Sequence, residues 1–273
     1  MIPLEQIRTA AGVIAGIAVR TPLVRLDADA DAEIWLKLET LQPVNSFKIR
    51  GAGSAVLQAS DEELRDGALT PSAGNMAQGV AYVARHRGVP ATIVVPEGAP
   101  RTKLAAVERF GGRIVEVPYD EWWNTLVTGR FDGAAGFFVH PVTDERVMAG
   151  NGTIGLEILE DLPDVDAIVA PYGGGGLVTG IASAVKAQRP GVRVYSAEPA
   201  TGAPATASLA AGAPTAVDFT RSFVDGAGSR EVLPDAWAHA SELLDGAFAI
   251  ELDDVAAAIR LLAERTRVIA EGA

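Results

Sequence analysis

Strand-like and helix-like segments alternate along the chain and predict an α/β protein of doubly wound organisation. Three observations carry that prediction. Short apolar, β-branched runs lack the every-other-residue polarity of a half-solvated strand, as expected of parallel strands covered on both faces. Helix-period stretches of roughly 10–15 residues separate them. The 273 residues are 48% hydrophobic and 21% charged, which suits one large or two smaller globular domains.

Taken in order, Ile34-Trp35-Leu36-Lys37-Leu38 reads as a strand, and residues 46–58 read as a helix with Lys48 in its first turn. A turn at 71–74 leads into a helical pattern over 75–87. Ala91-Thr92-Ile93-Val94-Val95, bounded by prolines, then closes a βαβ unit as a buried parallel strand. A helix over 100–110 is stopped by Gly111-Gly112, and Arg113 to Val117 is the next strand. After a helix over 145–160, Ala167-Ile168-Val169-Ala170 runs as a strand into four glycines, followed by a helix to Gln188 and the strand Val192-Arg193-Val194-Tyr195. Residues 201–217, rich in alanine, glycine and proline, read as a long surface excursion. Trp122-Trp123, beside Asp120-Glu121, reads as packing on the surrounding domain and not as a partner surface.

Charge and composition narrow the function. A formal net charge of −12 repels polyanions, so no nucleic acid and no anionic membrane is expected as a partner, and a small molecule is. With no cysteine there is neither a disulfide nor a thiolate nucleophile, which fits a cytoplasmic protein. Met1 to Glu5 lacks a basic segment leading into an apolar run, and the apolar stretch 12–19 meets Arg20, so neither a signal peptide nor a membrane span is expected.

Three segments carry chemistry. In Asn45-Ser46-Phe47-Lys48-Ile49-Arg50-Gly51-Ala52, an amine stands at the start of a helix. Lysine becomes a nucleophile where its surroundings disfavour the ammonium form, and carbonyl cofactors exploit such sites. Gly173-Gly174-Gly175-Gly176 lies between a strand and a helix N-terminus, where bare backbone N–H groups and the helix dipole suit a phosphate. The glycines do not match the two common nucleotide patterns: the G-x-G-x-x-G register fails at Val178 and Thr179, and Ile181 stands where a P-loop needs lysine. In Ser72-Ala73-Gly74-Asn75-Met76-Ala77-Gln78, a serine reads as a helix cap, and the turn offers N–H groups suited to a small carboxylate.

These three motifs, in this order, resemble pyridoxal-phosphate enzymes of the tryptophan synthase β-subunit type, and within them the serine/threonine dehydratases and serine racemases. The similarity runs from Lys37-Leu38-Glu39 to Glu271-Gly272-Ala273. It implies two doubly wound three-layer α/β/α domains with pyridoxal 5'-phosphate in the cleft between them: a large cofactor-binding domain of residues 1–45 and 141–273, and a small mobile domain of 46–140. By resemblance Lys48 is the Schiff-base lysine and Phe47 packs on the cofactor ring. Gly173, Gly174, Gly175 and Gly176 cradle the phosphate, with Leu177, Asn75 and Glu271 completing the cofactor set. Ser72, Ala73, Gly74, Asn75, Met76 and Gln78 form the loop that meets the substrate.

The implied activity is β-elimination from L-threonine, L-serine or a related β-hydroxy amino acid, giving a 2-oxo acid and ammonia, in a homodimer. The alternatives are β-replacement or racemisation on the same cofactor, or a catalytically impaired cofactor-binding homologue.

Departures from the family pattern refine this expectation. Met76 stands where the loop usually has histidine, and Tyr172 where a small aliphatic residue is common. Ala73 occupies the position of the racemases' proton-exchanging hydroxyl, so racemisation should be poor. Glu198 matches one ligand of the relatives' cation site, but Pro204 replaces the aspartate, so no strong metal site is expected. Relatives continue past the equivalent of Ala273 with a serine or cysteine facing the pyridine nitrogen, and the chain is expected to do the same.

Overall fold

The structure, a computed structural model, describes residues 1–273. Its elements open with α1 (Leu4–Ile14), β1 (Leu23–Leu26), β2 (Ile34–Lys37), α2 (Lys48–Gln58), β3 (Ala68–Pro71), α3 (Asn75–Arg87) and β4 (Ala91–Pro96). There follow α4 (Arg101–Arg109), β5 (Gly112–Val117), α5 (Tyr119–Thr128), β6 (Phe137–Phe138), α6 (Glu145–Asp161) and β7 (Ala167–Pro171). The remainder is α7 (Gly176–Gln188), β8 (Arg193–Pro199), α8 (Pro204–Ala211), α9 (Pro234–Leu243), β9 (Gly246–Ile250) and α10 (Leu252–Thr266). No helix is long and apolar enough to cross a membrane.

The chain divides into two compact units, one of Met1–Ile7, Arg20–Thr40 and Asn151–Ala273, the other of Arg8–Val19 and Leu41–Gly150. The second holds a parallel sheet in the order β5-β4-β3-β6, which starts at its centre and winds outward in both directions. Ala68 of β3 stands opposite both Ala91 of β4 and Phe137 of β6.

Alternate residues of β4 serve different layers. Ile93 and Val95 join the main core with Ile49, Val56, Val80, Val83, Leu104 and Val107, while Val94 joins Leu69, Val117 and the half-buried Trp122 on the other face. Burial on both faces is why this strand reads as a continuous apolar run. Trp122 packs there, as its sequence suggests.

This unit is wider than the 46–140 segment of the family resemblance. Ile14, Ile17 and Val44 belong to its core. The Gln42 amide brackets Val19, accepting from its N–H at 2.9 Å and donating to its carbonyl at 2.8 Å, and Arg50 donates to the same carbonyl at 3.1 Å.

In the other unit β7, β8 and β9 form a parallel sheet in that order, with Ala167 opposite Arg193 and Tyr195 opposite Gly246. Glycines let α6 approach α7 closely: a Cβ at Gly152 would lie 2.8 Å from the Gly180 carbonyl, and one at Gly155 2.9 Å from that of Ile181. Along β7 Ile168 and Ala170 are buried, but Val169 is 58% exposed and Phe248 of β9 47%, so one face of this sheet meets solvent.

Two readings are corrected here. The strand at residue 34 forms, but it pairs antiparallel with β1, Leu26 opposite Ile34, in a separate two-stranded ribbon. The link between them is too short for the crossover that parallel strands need. Residues 201–217 are no open excursion, because they contain α8. Pro204 fits its first turn, Gly212 ends it at φ 72°, and the buried Glu198 carboxylate accepts from the N–H groups of Ala205 (3.1 Å) and Thr206 (2.8 Å) and from the Thr206 hydroxyl (3.0 Å).

Lys37 is nearly enclosed, its amine 2.6 Å from Glu157 and 2.5 Å from the Thr21 carbonyl. Glu157→Ala leaves that amine with the Thr21 carbonyl and the more distant Asp161 carboxylate at 3.9 Å, and is expected to cost about 2 kcal/mol, read as a lower midpoint in urea unfolding.

Candidate functional site

In the second unit the site is built around a sharp turn into α2. Asn45 adopts φ 56°, a left-handed conformation that asparagine tolerates, and its N–H donates to the Gln42 carbonyl at 2.7 Å. Lys48 follows as the first residue of α2, with Phe47 at the cap position. Its amine lies 5.0 Å from the centre of the Phe47 ring and 3.5 Å from the Pro141 carbonyl oxygen. Burial alone pushes the amine down from 10.5 to about 8, although part of the stem still reaches solvent. Close approach of α3 to this turn depends on Gly79, where a Cβ would stand 3.2 Å from the Lys48 carbonyl group.

The second predicted motif meets α3 differently from the reading of Ser72 as its cap. The cap residue is Gly74, with no side chain bonded to the helix end. The Ser72 hydroxyl instead accepts the Gly74 N–H at 3.2 Å, two residues on, and this tightens the turn. The first N–H groups of α3 thus emerge beside Gly74, where added side-chain volume would meet nothing within 4 Å.

Asn75 and Gln78 are half-buried and share one face of α3, three residues apart. Met76 turns the other way into the main core, so only its backbone remains for recognition. Ala73 is half-buried against that core.

In the first unit the glycines form the turn from β7 into α7. Gly175 caps α7 at φ 91°, and a Cβ on it would lie 2.8 Å from the Tyr172 hydroxyl oxygen. One on Gly173 would lie 2.8 Å from the Gly226 carbonyl. Gly173, Gly174 and Leu177 remain partly open, whereas Gly175 and Gly176 are buried. Asn151, between two glycines of α6, donates to the Gly176 carbonyl at 3.2 Å.

Tyr172 is fully buried beneath this turn, and its hydroxyl has no hydrogen-bond partner. Burial raises its pKa, with a further push from the Glu198 charge. The same loss of water raises the Glu198 carboxyl, against the hydrogen bonds from Thr206 and Ala205. Glu271 is exposed in the terminal segment, whose Ala273 packs against Gly226.

Sequence reasoning missed Asn151, Gly226, His140 and Pro141. Only Asn151 left a signal, as a polar residue flanked by helix-interior glycines.

A family model described as pyridoxal-phosphate dependent enzyme matches residues 14–273. The chain is 37% identical over 278 residues to an L-threonine ammonia-lyase of Thermotoga maritima, covering 100% of this chain and 69% of that one. It is 40% identical over 242 residues to an L-threonine ammonia-lyase of Geobacter sulfurreducens, covering 88% of this chain and 60% of the relative's length. Among solved structures, maize serine racemase superposes with a TM-score of 0.92 at 32% identity, covering 98% of this chain and 83% of that one.

Proposed function

Because the chain belongs to the pyridoxal-phosphate dependent enzyme family, we propose that it is a lyase that converts L-threonine, L-serine or a related β-hydroxy amino acid to a 2-oxo acid and ammonia. The observation that carries the reading is the placement of the Lys48 amine, at the first residue of α2 and 5.0 Å from the centre of the Phe47 ring, where burial favours its neutral form. Two sets of residues fit the cofactor. One is an amine able to bond an aldehyde, with the Phe47 ring beside it. The other is a side-chain-free turn at a helix N-terminus, suited to a phosphate.

Pyridoxal phosphate, when bound, supplies a conjugated ring that accepts the electron pair left on the substrate α-carbon. Lys48 would hold the cofactor through its amine, and its freed Nζ would take the substrate α-proton. Gly173 to Gly176 offer N–H groups to the phosphate, with Leu177 and Glu271 at the margins of that site. Ser72, Gly74, Asn75 and the Met76 backbone hold the substrate carboxylate at the α3 N-terminus, and Gln78 stands one turn on. The β-carbon–oxygen bond would then break as the α-carbon electron pair forms the α–β double bond, and the β-hydroxyl would leave as water with the proton that Lys48 Nζ returns.

The segment 46–140 is taken as the mobile part, to be tested by substrate-dependent hydrogen exchange at 72–78. The homodimer comes from the family resemblance and the cytoplasmic setting from the absence of cysteine, and sedimentation and cell fractionation test them.

Ala73 favours elimination over racemisation, because a methyl group cannot return a proton to the second face of the substrate. A positioned acid or base contributes about 10²–10⁴-fold. L-serine should therefore yield pyruvate at least about 100-fold faster than D-serine. Chiral chromatography alongside a 2-oxo acid assay over a panel of β-hydroxy amino acids measures both. Inversion without 2-oxo acid would replace this reading with the racemase one.

A further inference from the structure

We infer that His140 is a positioning residue for Lys48, a reading that rests on Lys48 being the cofactor lysine proposed above. His140 begins the turn that joins β6 to α6. Its Nε2 lies 2.8 Å from the Leu126 carbonyl near the end of α5, and its Nδ1 lies 3.1 and 3.0 Å from the backbone N–H groups of Val142 and Thr143. A carbonyl only accepts and a backbone N–H only donates, so the partners fix the ring as neutral, with its proton on Nε2 and Nδ1 bare.

The residue enclosed by this clasp is Pro141, whose carbonyl oxygen faces the Lys48 amine at 3.5 Å. Neighbouring contacts hold the rest of the turn. The Thr70 hydroxyl donates to the Val139 carbonyl at 2.9 Å, and Asp144 accepts the N–H groups of Arg146 at 2.7 Å and Val147 at 3.2 Å. The Pro141 carbonyl is therefore presented between an imidazole clasp and a carboxylate cap, and no element of regular structure holds it there.

Protonation of Nδ1 sets a third donor against two N–H groups, and the clasp opens. Around the ring, the Asp144 carboxylate and the carbonyl end of α5 favour the imidazolium, the Arg146 guanidinium near Asp144 opposes it, and the Phe138 ring, 6.2 Å away, is neutral. With the clasp open, the Lys48 amine, in the state where it is not bonded to the cofactor, loses its carbonyl partner and is held less firmly for proton transfer.

The experiment uses purified holoenzyme, comparing wild type with His140→Asn and Asp144→Asn. His140→Asn is expected to lower kcat about tenfold with KM within about twofold, and to remove one ionisation from the acid limb of the kcat profile. Asp144→Asn keeps the helix cap but removes the charge that favours imidazolium, so its acid limb should move to lower pH by up to about one unit. Nitrogen NMR of the three histidines reads the tautomer in the unmutated protein.

An acid limb unchanged in both variants, or a proton on Nδ1, overturns the inference. If His140→Asn does not fold, Asp144→Asn and the tautomer still decide it. A wild-type protein with no lysine-linked cofactor absorbance defeats the cofactor-lysine reading itself, whereas normal absorbance with an indifferent acid limb defeats only the role of His140.

Discussion

Lys48→Met is expected to lower 2-oxo acid formation by at least about 10³-fold while raising the stability of the cofactor-free protein. The loss follows from the two tasks given to one amine, holding the cofactor and moving the α-proton, neither of which a thioether performs. The gain follows from burial. The unfolded amine takes up its proton near 10.5 and the folded one only near 8. Between those values unfolding is accompanied by proton uptake, so stability rises with pH across that window. Below about pH 8 the cost is fully present, and above about 10.5 it is gone.

Each pH unit is worth about 1.4 kcal/mol, so the cost is on the order of a few kcal/mol, less what the partly exposed stem recovers. Methionine keeps a flexible apolar stem without the charge. At pH 7.5 Lys48→Met should therefore melt several degrees above wild type, and the gap should close toward pH 10.5. Full turnover in the variant would remove Lys48 from catalysis. A gap that does not narrow with pH would remove burial of the amine as its cause.

The legible parts of the fold share a physical character: each is decided by local sequence. Residues 75–87 read as a helix because Gly88 in the left-handed conformation stops it, and residues 91–95 read as a buried strand because β4 faces core on both sides. Parts decided by distant partners were not legible. α8 forms inside an alanine- and proline-rich segment because Glu198, back on β8, caps it. β2 looked like the other strands but turns back on β1.

The same division holds at the candidate site. Lys48 and the glycines announce themselves by residue type at an element boundary. Pro141 and His140 do not, because a backbone carbonyl and the ring that clasps its turn have no motif.

Gly175→Ala is expected to weaken cofactor binding by roughly 30- to 3,000-fold, from two separable costs. At φ 91° an L-residue pays about 1–2 kcal/mol for the left-handed backbone. Its Cβ would also stand 2.8 Å from the Tyr172 hydroxyl oxygen, 3.0 Å from Cζ and 3.1 Å from Cε2. The buried ring has no solvent-side space to enter, so the turn shifts instead, at about 1–3 kcal/mol for overpacking. Together these give about 2–5 kcal/mol, and each 1.4 kcal/mol is tenfold in affinity.

Tyr172→Val separates the two costs. It removes the whole ring, so alanine at 175 then meets space and pays only for its backbone. The double variant should thus bind cofactor more tightly than the sum of the single losses allows, with a coupling of about 1–3 kcal/mol. Fluorescence titration of cofactor-free protein with pyridoxal phosphate measures all four proteins. Strictly additive losses would show that the Tyr172 ring does not set the shape of the turn, and an unchanged affinity in Gly175→Ala would show that this turn does not hold the phosphate.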